Sequence, residues 1–326
     1  MKALLLQDKG LWKEMQIGDA EAPSCGAGEI LVEVHAAGLN PVDYKTATGG
    51  NPRWTYPHIL GLDVAGVVAE TGEGVSQWEK GDRVVYHGDL TKPGGFAEYG
   101  VAYADRVSRI PDGVTFEAAA ALPTAGYTAY QALHRKLPLE RVETILIHGG
   151  AGGVGGFGVQ LAKLAGKRVI STASAHNHEY VRSLGADEVI DYRTENIYER
   201  VMALTGGRGV DAVVDAVSRT SASESLDLLA FMGHLVYIAG PPDFTRIKTF
   251  SKVVSYHEIA LGAAHGSGDP RAEHDLAVIG DAMLALMEQG KLSSQLQEVI
   301  TLEEVPQALI RLSERHVQGK IVARIK

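Results

Sequence analysis

The stretch Val142-Glu143-Thr144-Ile145-Leu146-Ile147-His148-Gly149-Gly150-Ala151-Gly152-Gly153-Val154-Gly155 decides how this chain is read. An apolar run with strand character passes directly into glycines and then into a helix-like stretch, Phe157 to Leu164. The spacing Gly150-x-Gly152-x-x-Gly155 gives each glycine a task. Gly150 permits a tight turn out of the strand, Gly152 lets the backbone approach a pyrophosphate, and Gly155 lets the new helix pack close to the sheet. Ala151, Gly153 and Val154 fill the turn between them, and the free N–H groups at the helix start are suited to phosphates. Such a pattern alone also fits a structural turn. The strand before it and the helix after it point to a dinucleotide.

Working outward, strands and helices alternate: strand 142–147, helix 154–165, strand 168–172, helix 177–184, strand 187–191, helix 195–204, strand 210–214, helix 222–229 and strand 234–238. This order predicts an α/β domain with a doubly wound parallel sheet and helices on both faces. Before about residue 115 the pattern is different. Short strands punctuated by turns are expected near the N-terminus, at 29–36, at 62–69 and at 82–86. Phe116 to His134 is alanine-rich and helix-like, interrupted by Pro123 and Gly126. Phe250 to Ala264 either finishes the nucleotide sheet or forms an edge used in subunit contact. Leu276, Ile279, Met283 and Leu286 recur at helical spacing with Met287 widening the face, which is core packing. Ile321 to Ile325 looks like a closing strand.

With 326 residues, the length favours two domains. A formal charge of −9 gives no support for a nucleic-acid or anionic-membrane surface, and no nucleic-acid recognition motif is present. Cys25 is the only cysteine, which excludes an intrachain disulfide and a thiolate-rich metal site within one chain. The N-terminal apolar run is too short for a secretory signal, and no segment has the uninterrupted apolar length of a membrane span, so the cytoplasm is the expected location.

The second strand of a dinucleotide fold ordinarily presents an acid to the adenosine ribose about 20 residues after the glycines. Here Val169-Ile170-Ser171-Thr172-Ala173-Ser174 ends without one. A carboxylate there would repel a 2′-phosphate, so its absence favours NADPH over NADH. Ser174, His176, Asn177 or His178 can donate to that phosphate, with Arg182 and Arg193 as sources of positive charge. His176 and His178 are equally readable as ordinary loop residues.

Four linked motifs then carry a resemblance. They are Gly38-Leu39-Asn40-Pro41-Val42-Asp43-Tyr44-Lys45, Ile59-Leu60-Gly61-Leu62-Asp63-Val64-Ala65-Gly66-Val67-Val68, Ala121-Leu122-Pro123-Thr124-Ala125-Gly126-Tyr127-Thr128-Ala129, and the cluster at 148–155. Their order is similar to that of zinc-independent, zeta-crystallin-like quinone oxidoreductases of the medium-chain dehydrogenase/reductase superfamily, and Gly319-Lys320-Ile321-Val322 looks like that family's ending. The resemblance implies a GroES-like, β-rich catalytic domain from residues 1–122 and 266–326, with a Rossmann-type dinucleotide domain, 123–265, inserted between. It also implies a homodimer with NADPH as donor. By the same resemblance, zinc-dependent relatives place a cysteine where this chain has Asn40, a His-Glu pair where it has Leu62-Asp63, and a thiolate where it has Thr124. No metal is therefore expected.

Without a Lewis acid the chemistry suits an acceptor that is already electrophilic, a quinone or an enone. Asn40, Tyr44 and Thr124 are the candidate donors to a developing oxyanion, and Tyr44 or solvent can supply the proton. Asn40 and Thr124 can instead serve local turns or caps. Trp54 and Tyr56 are candidate pocket walls, though aromatics serve cores equally well. On the cofactor side, Tyr192 resembles an adenine or phosphate contact in relatives. Ala239 and Gly240 follow the fifth strand, and Gly319 and Lys320 are placed to close the site. Asn177 departs from the family where relatives often carry a phosphate-binding lysine. Besides quinone reduction, two further functions fit: reduction of an enone or alkenal double bond, and nucleotide binding without turnover.

Overall fold

Small and β-branched residues interrupted by glycine turns make the first stretch a set of short strands: β1 (Lys2–Leu6), β2 (Gln16–Asp19), β3 (Glu29–Gly38), β4 (His58–Ile59), β5 (Asp63–Thr71), β6 (Arg83–His87), β7 (Tyr99–Tyr103) and β8 (Val107–Arg109). Helix α1 (Pro41–Gly49) lies between β3 and β4, and α2 (Phe116–Ala120) follows β8. Helix α1 lies inside the Gly38–Lys45 motif; Pro41 at its first position has no N–H to leave unsatisfied and a φ already suited to a helix. The computed structural model describes residues 1–315 and 317–326, and the chain divides into two units: Met1–Tyr127 with Gly262–Lys326, and Thr128–Leu261.

The second unit starts with the short α3 (Thr128–Tyr130) and continues through β9 (Thr144–Ile147), α4 (Gly153–Leu164), β10 (Arg168–Ala173), α5 (His178–Ser183) and β11 (Glu188–Asp191). It goes on through α6 (Ile197–Leu204), β12 (Val210–Asp215), α7 (Arg219–Leu228), β13 (Leu229–Tyr237) and β14 (Ser255–Glu258). Its six strands are all parallel and lie in the order β11-β10-β9-β12-β13-β14. Counting from β9 this is 3-2-1-4-5-6, the doubly wound order whose ligand crevice opens at the carboxyl ends of the strands where the order reverses, here β9 and β12. Strands buried on both faces read as continuous apolar runs, and Leu146, Ile170, Ile190, Val213 and Leu235 form one core with Leu226 of α7. Asp211 anchors the entry of β9 by accepting from the N–H groups of Glu143 and Thr144, each at 2.9 Å. The segment after Phe250 finishes this sheet, since β14 pairs with β13 in parallel register. Strand β13 begins earlier than its polar boundary suggests, and Met232 within it takes a left-handed φ of 61°.

The chain then returns to the first unit with α8 (Pro270–Glu288), β15 (Leu296–Thr301), α9 (Val305–Ser313) and β16 (Lys320–Arg324). Helix α8 starts from Asp269, whose side chain accepts from the Arg271 N–H, and buries Leu276, Ile279 and Met283. Strand β16 pairs with β3, so the last strand completes a seven-stranded sheet, β15-β16-β3-β5-β6-β8, with β7 also on β3. Ile30, Val32, Val34, Val64, Val68 and Val84 fill that sheet's interior. Among the described residues no helix is long and apolar enough to cross a membrane.

Candidate functional site

Strand β9 delivers the chain to the reversal point of the parallel sheet, where the His148 N–H donates to the Val214 carbonyl at 3.0 Å. Gly149 takes the left-handed turn, with φ 71°. That task falls one residue earlier than the spacing alone assigned it. Gly150 is required for a different reason: a Cβ there would lie 2.2 Å from Ser171 Oγ and 2.9 Å from Val181. Gly155 does what its position predicts, since a Cβ would lie 2.2 Å from the Gly149 carbonyl oxygen and hold the helix away from the strand exit. Gly152 is the N-cap of α4, with extended φ −86° and ψ 168°. A Cβ there would meet nothing nearer than the Gly149 oxygen at 3.5 Å. The protein's own packing therefore leaves Gly152 free to be another residue, and its lack of a side chain keeps the helix N-terminus open to an anion.

Around this cradle, β10 ends at Ala173 and hands over to Ser174, which is buried. Asn177 Nδ2 donates to Ser174 Oγ at 3.3 Å, His176 Nε2 lies 3.5 Å from the same oxygen, and His178 Nε2 donates to the Ala173 carbonyl at 3.3 Å. No acid stands at the end of β10. The nearest in register is Asp191 on β11, opposite Ala173, and its carboxylate already accepts from the Arg193 N–H and the Thr194 hydroxyl. Tyr192 beside it is half exposed, and Gly240 after β13 holds φ 135°, a conformation only glycine adopts readily.

In the first unit a buried polar cluster forms around Asp63, which is fully buried. Its Oδ1 accepts from the Thr124 N–H at 2.8 Å and from the Thr124 hydroxyl at 2.5 Å. Its Oδ2 accepts from Asn40 Nδ2 at 2.7 Å and lies 3.5 Å from Lys320 Nζ. The Lys320 ammonium also donates to Asn40 Oδ1 at 2.5 Å and to the Leu39 carbonyl at 3.0 Å. An obligate acceptor on one side and an obligate donor on the other fix the orientation of the Asn40 amide. Burial pushes the Lys320 pKa down against the pull of Asp63 and Asp43. Asp43 accepts from the Asn40 N–H at 2.8 Å, and burial pushes its carboxyl up to about 7. Thr124 itself sits in a π-helical turn, Pro123–Tyr127.

The structure thus brings Asn40, Thr124 and Lys320 together but commits the Thr124 hydroxyl hydrogen and both faces of the Asn40 amide to the cluster. Tyr44 lies apart, half-buried with its ring 5.5 Å from that of Trp12, and its hydroxyl has no hydrogen-bond partner among the described residues. Trp54 stacks on His58 with centroids 4.2 Å apart and donates to the Leu90 carbonyl, while Tyr56 meets Trp54 edge-on. Trp54, His58 and Lys92 line a small cavity with Asp43 and Thr46; Tyr56 does not. Burial pushes the His58 imidazole down to about 4, so it is neutral there. Asp63 is a hub that its local sequence does not announce. A buried acid in a strand whose neighbours are Val, Ala and Gly was its one available signal.

A model of the alcohol dehydrogenase GroES-like domain matches residues 26–112, and a model of zinc-binding dehydrogenase matches residues 153–277. The chain is 32% identical over 294 residues to a quinone oxidoreductase of Sus scrofa, which covers 89% of this chain and 87% of that protein. A quinone oxidoreductase structure from Coxiella burnetii shares 32% identity at a TM-score of 0.85, covering 100% of this chain and 99% of that one. A mycobacterial protein in complex with NADPH shares 30% identity at a TM-score of 0.89 over 100% of both chains. Zinc, which one family description names, does not fit the residues present. Asn40, Asp63 and Thr124 satisfy one another and Lys320, and among the described residues no three His, Cys, Asp or Glu side chains converge.

Proposed function

The chain belongs to the zinc-independent, quinone-oxidoreductase-like family of the medium-chain dehydrogenase/reductase superfamily, and from that membership we propose that it transfers hydride from NADPH to a quinone without a metal. The observation that carries this reading is the glycine turn. Gly152 caps α4 at the reversal point of the parallel sheet and offers backbone where a side chain would otherwise stand. These residues fit a dinucleotide: Gly150 to Gly155 would hold its pyrophosphate, with Ser174, His176 and Asn177 towards an adenosine 2′-phosphate and Tyr192 and Gly240 near the same strand ends. When bound, the reduced nicotinamide supplies the hydride. The chain's own part is to bind, orient and keep water from the transfer path.

The absence of an acid after Ala173, together with the engagement of Asp191 by its own turn, supports NADPH over NADH. On the acceptor side, Tyr44 keeps a hydroxyl to offer a developing oxyanion, while Asn40 and Thr124 act through the cluster that Asp63 holds. Trp54 is a cavity wall and a core residue at once. A homodimer in the cytoplasm completes the reading. The dimer is supported by the edge strand β14 and the exposed Phe231, Met232, Phe250 and Val253.

Parallel titrations with NADPH and NADH, each followed by an acceptor panel with and without chelator, test the proposal. Tighter NADPH binding and chelator-resistant quinone reduction are expected. Rapid saturation of an enone with negligible quinone reduction would move the assignment to a double-bond reductase. Cofactor binding with no acceptor-dependent oxidation across the panel would leave a nucleotide-binding protein without turnover.

A further inference from the structure

His148 is a buried imidazole that neither the phosphate-holding glycines nor the acceptor side uses. Its hydrogen bonds have only one consistent direction. The Ser225 hydroxyl donates to the Ser221 carbonyl at 2.8 Å, so towards His148 Nε2, 3.1 Å away, Ser225 Oγ accepts, and Nε2 carries the proton. The other ring nitrogen, Nδ1, is 3.2 Å from Thr172 Oγ1, and the same Oγ1 accepts from the Gly149 N–H at 3.1 Å. If Nδ1 also carried a proton, Thr172 Oγ1 would take two donors and its own hydroxyl hydrogen would have no acceptor among the described residues. Burial lowers the imidazole's pKa against the pull of Asp215, which keeps Nδ1 an acceptor. The chain of bonds therefore runs from Gly149 N–H to Thr172, from the Thr172 hydroxyl to His148 Nδ1, and from His148 Nε2–H to Ser225.

We infer that His148 is a positioning residue of the dinucleotide cradle, acting through Thr172 on Gly149. Gly149 is the residue that turns out of β9 at φ 71°, and its carbonyl accepts from the Gly152 N–H at 3.0 Å. The backbone of Thr172 adds a second tie, accepting from the Gly150 N–H at 3.0 Å. Thr172 and His148 thus hold the strand-side half of the turn, and the carbonyl of Gly149 fixes where Gly152 presents its backbone. With the exit of β9, β10 and α7 each contributing one member, the relay sets the turn before any ligand arrives.

The inference rests on the reading that the glycine turn holds NADPH. The test is fluorescence titration of the full chain with NADPH for wild type, Thr172→Val and Thr172→Ser, with steady-state kinetics and 15N spectra of the histidines. Thr172→Val should raise the Kd about tenfold, about 1.4 kcal/mol, by stranding the Gly149 N–H and His148 Nδ1. Thr172→Ser should restore affinity, and the loss should appear in KM for NADPH more than in kcat. The 15N spectrum should show neutral His148 protonated at Nε2. Folded Thr172→Val that binds NADPH as wild type does, or equal weakening by Val and Ser, overturns the inference alone. Should Thr172→Val not fold, the wild-type spectrum decides: a proton on Nδ1 overturns the relay. Wild type that binds neither NADPH nor NADH overturns the cofactor reading and this inference together.

Discussion

Replacing Asp43 by asparagine should change how stability depends on pH. Asp43 is fully buried, accepts from the Asn40 N–H, and faces the Asp63 carboxylate and the Lys320 ammonium. Burial raises its pKa from 3.8 to about 7. Between those values the folded chain holds a proton that the unfolded chain has released, so stability falls as pH rises through the window. Roughly three units at about 1.4 kcal/mol each give a total penalty of about 4 kcal/mol, absent below the lower value and complete above the upper. Asparagine keeps an oxygen for the Asn40 N–H but never ionises. The difference in unfolding free energy between Asp43→Asn and wild type should therefore shift by about 3 kcal/mol in favour of the variant between about pH 4.5 and 8. Urea unfolding followed by tryptophan fluorescence reads the right unit, because Trp12, Trp54 and Trp78 all belong to it. Curves for the two proteins that stay parallel in pH would refute the burial argument.

Two glycines of the cradle should separate packing from binding. Gly155→Ala should cost about 1–3 kcal/mol of stability, because its Cβ meets the Gly149 carbonyl, which cannot move away cheaply. Gly152→Ala should unfold like wild type yet bind NADPH about tenfold more weakly, since only a ligand would meet the new methyl; unchanged affinity would exclude Gly152 from the pyrophosphate site. Lys320→Met should destabilise by about 3 kcal/mol by leaving the buried Asp63 without its cation, and adding Asp63→Asn should recover part of that loss. Additive losses in the double variant, measured by urea unfolding, would mean that Lys320 and Asp63 do not act as a pair.

The sheet order of the second unit was readable because each buried strand is a short apolar run and each helix between them has its own boundary signals. Assigning the left-handed turn to Gly149 rather than Gly150 needed the register of β9 against β10, which brings Thr172 to the Gly149 N–H. The Asp63 cluster was less accessible still. It joins residues 40, 63, 124 and 320 through strand pairing between β3, β5 and β16, and no local pattern announces contacts at that separation. Lys320 in particular reads with Gly319 as a residue closing the cofactor site, and only the pairing of β16 with β3 places its ammonium on Asp63 and Asn40. The motif residues Asn40 and Thr124 were found by their setting, but their hydrogen bonds show that their donors point inward to Asp63.

The return of β16 to β3 also constrains the order in which the chain can fold as it is made. Thr128–Leu261 is continuous in sequence, so everything its parallel sheet needs has emerged before α8 begins. The other unit has to wait. Until residues 320–324 are synthesised, β3 lacks its partner beside Ala36–Gly38, and the Asp63 carboxylate would enter the interior without its ammonium. A ribosome-bound chain stopped before Gly319 should therefore carry a protease-resistant inserted segment and a protease-sensitive first hundred residues.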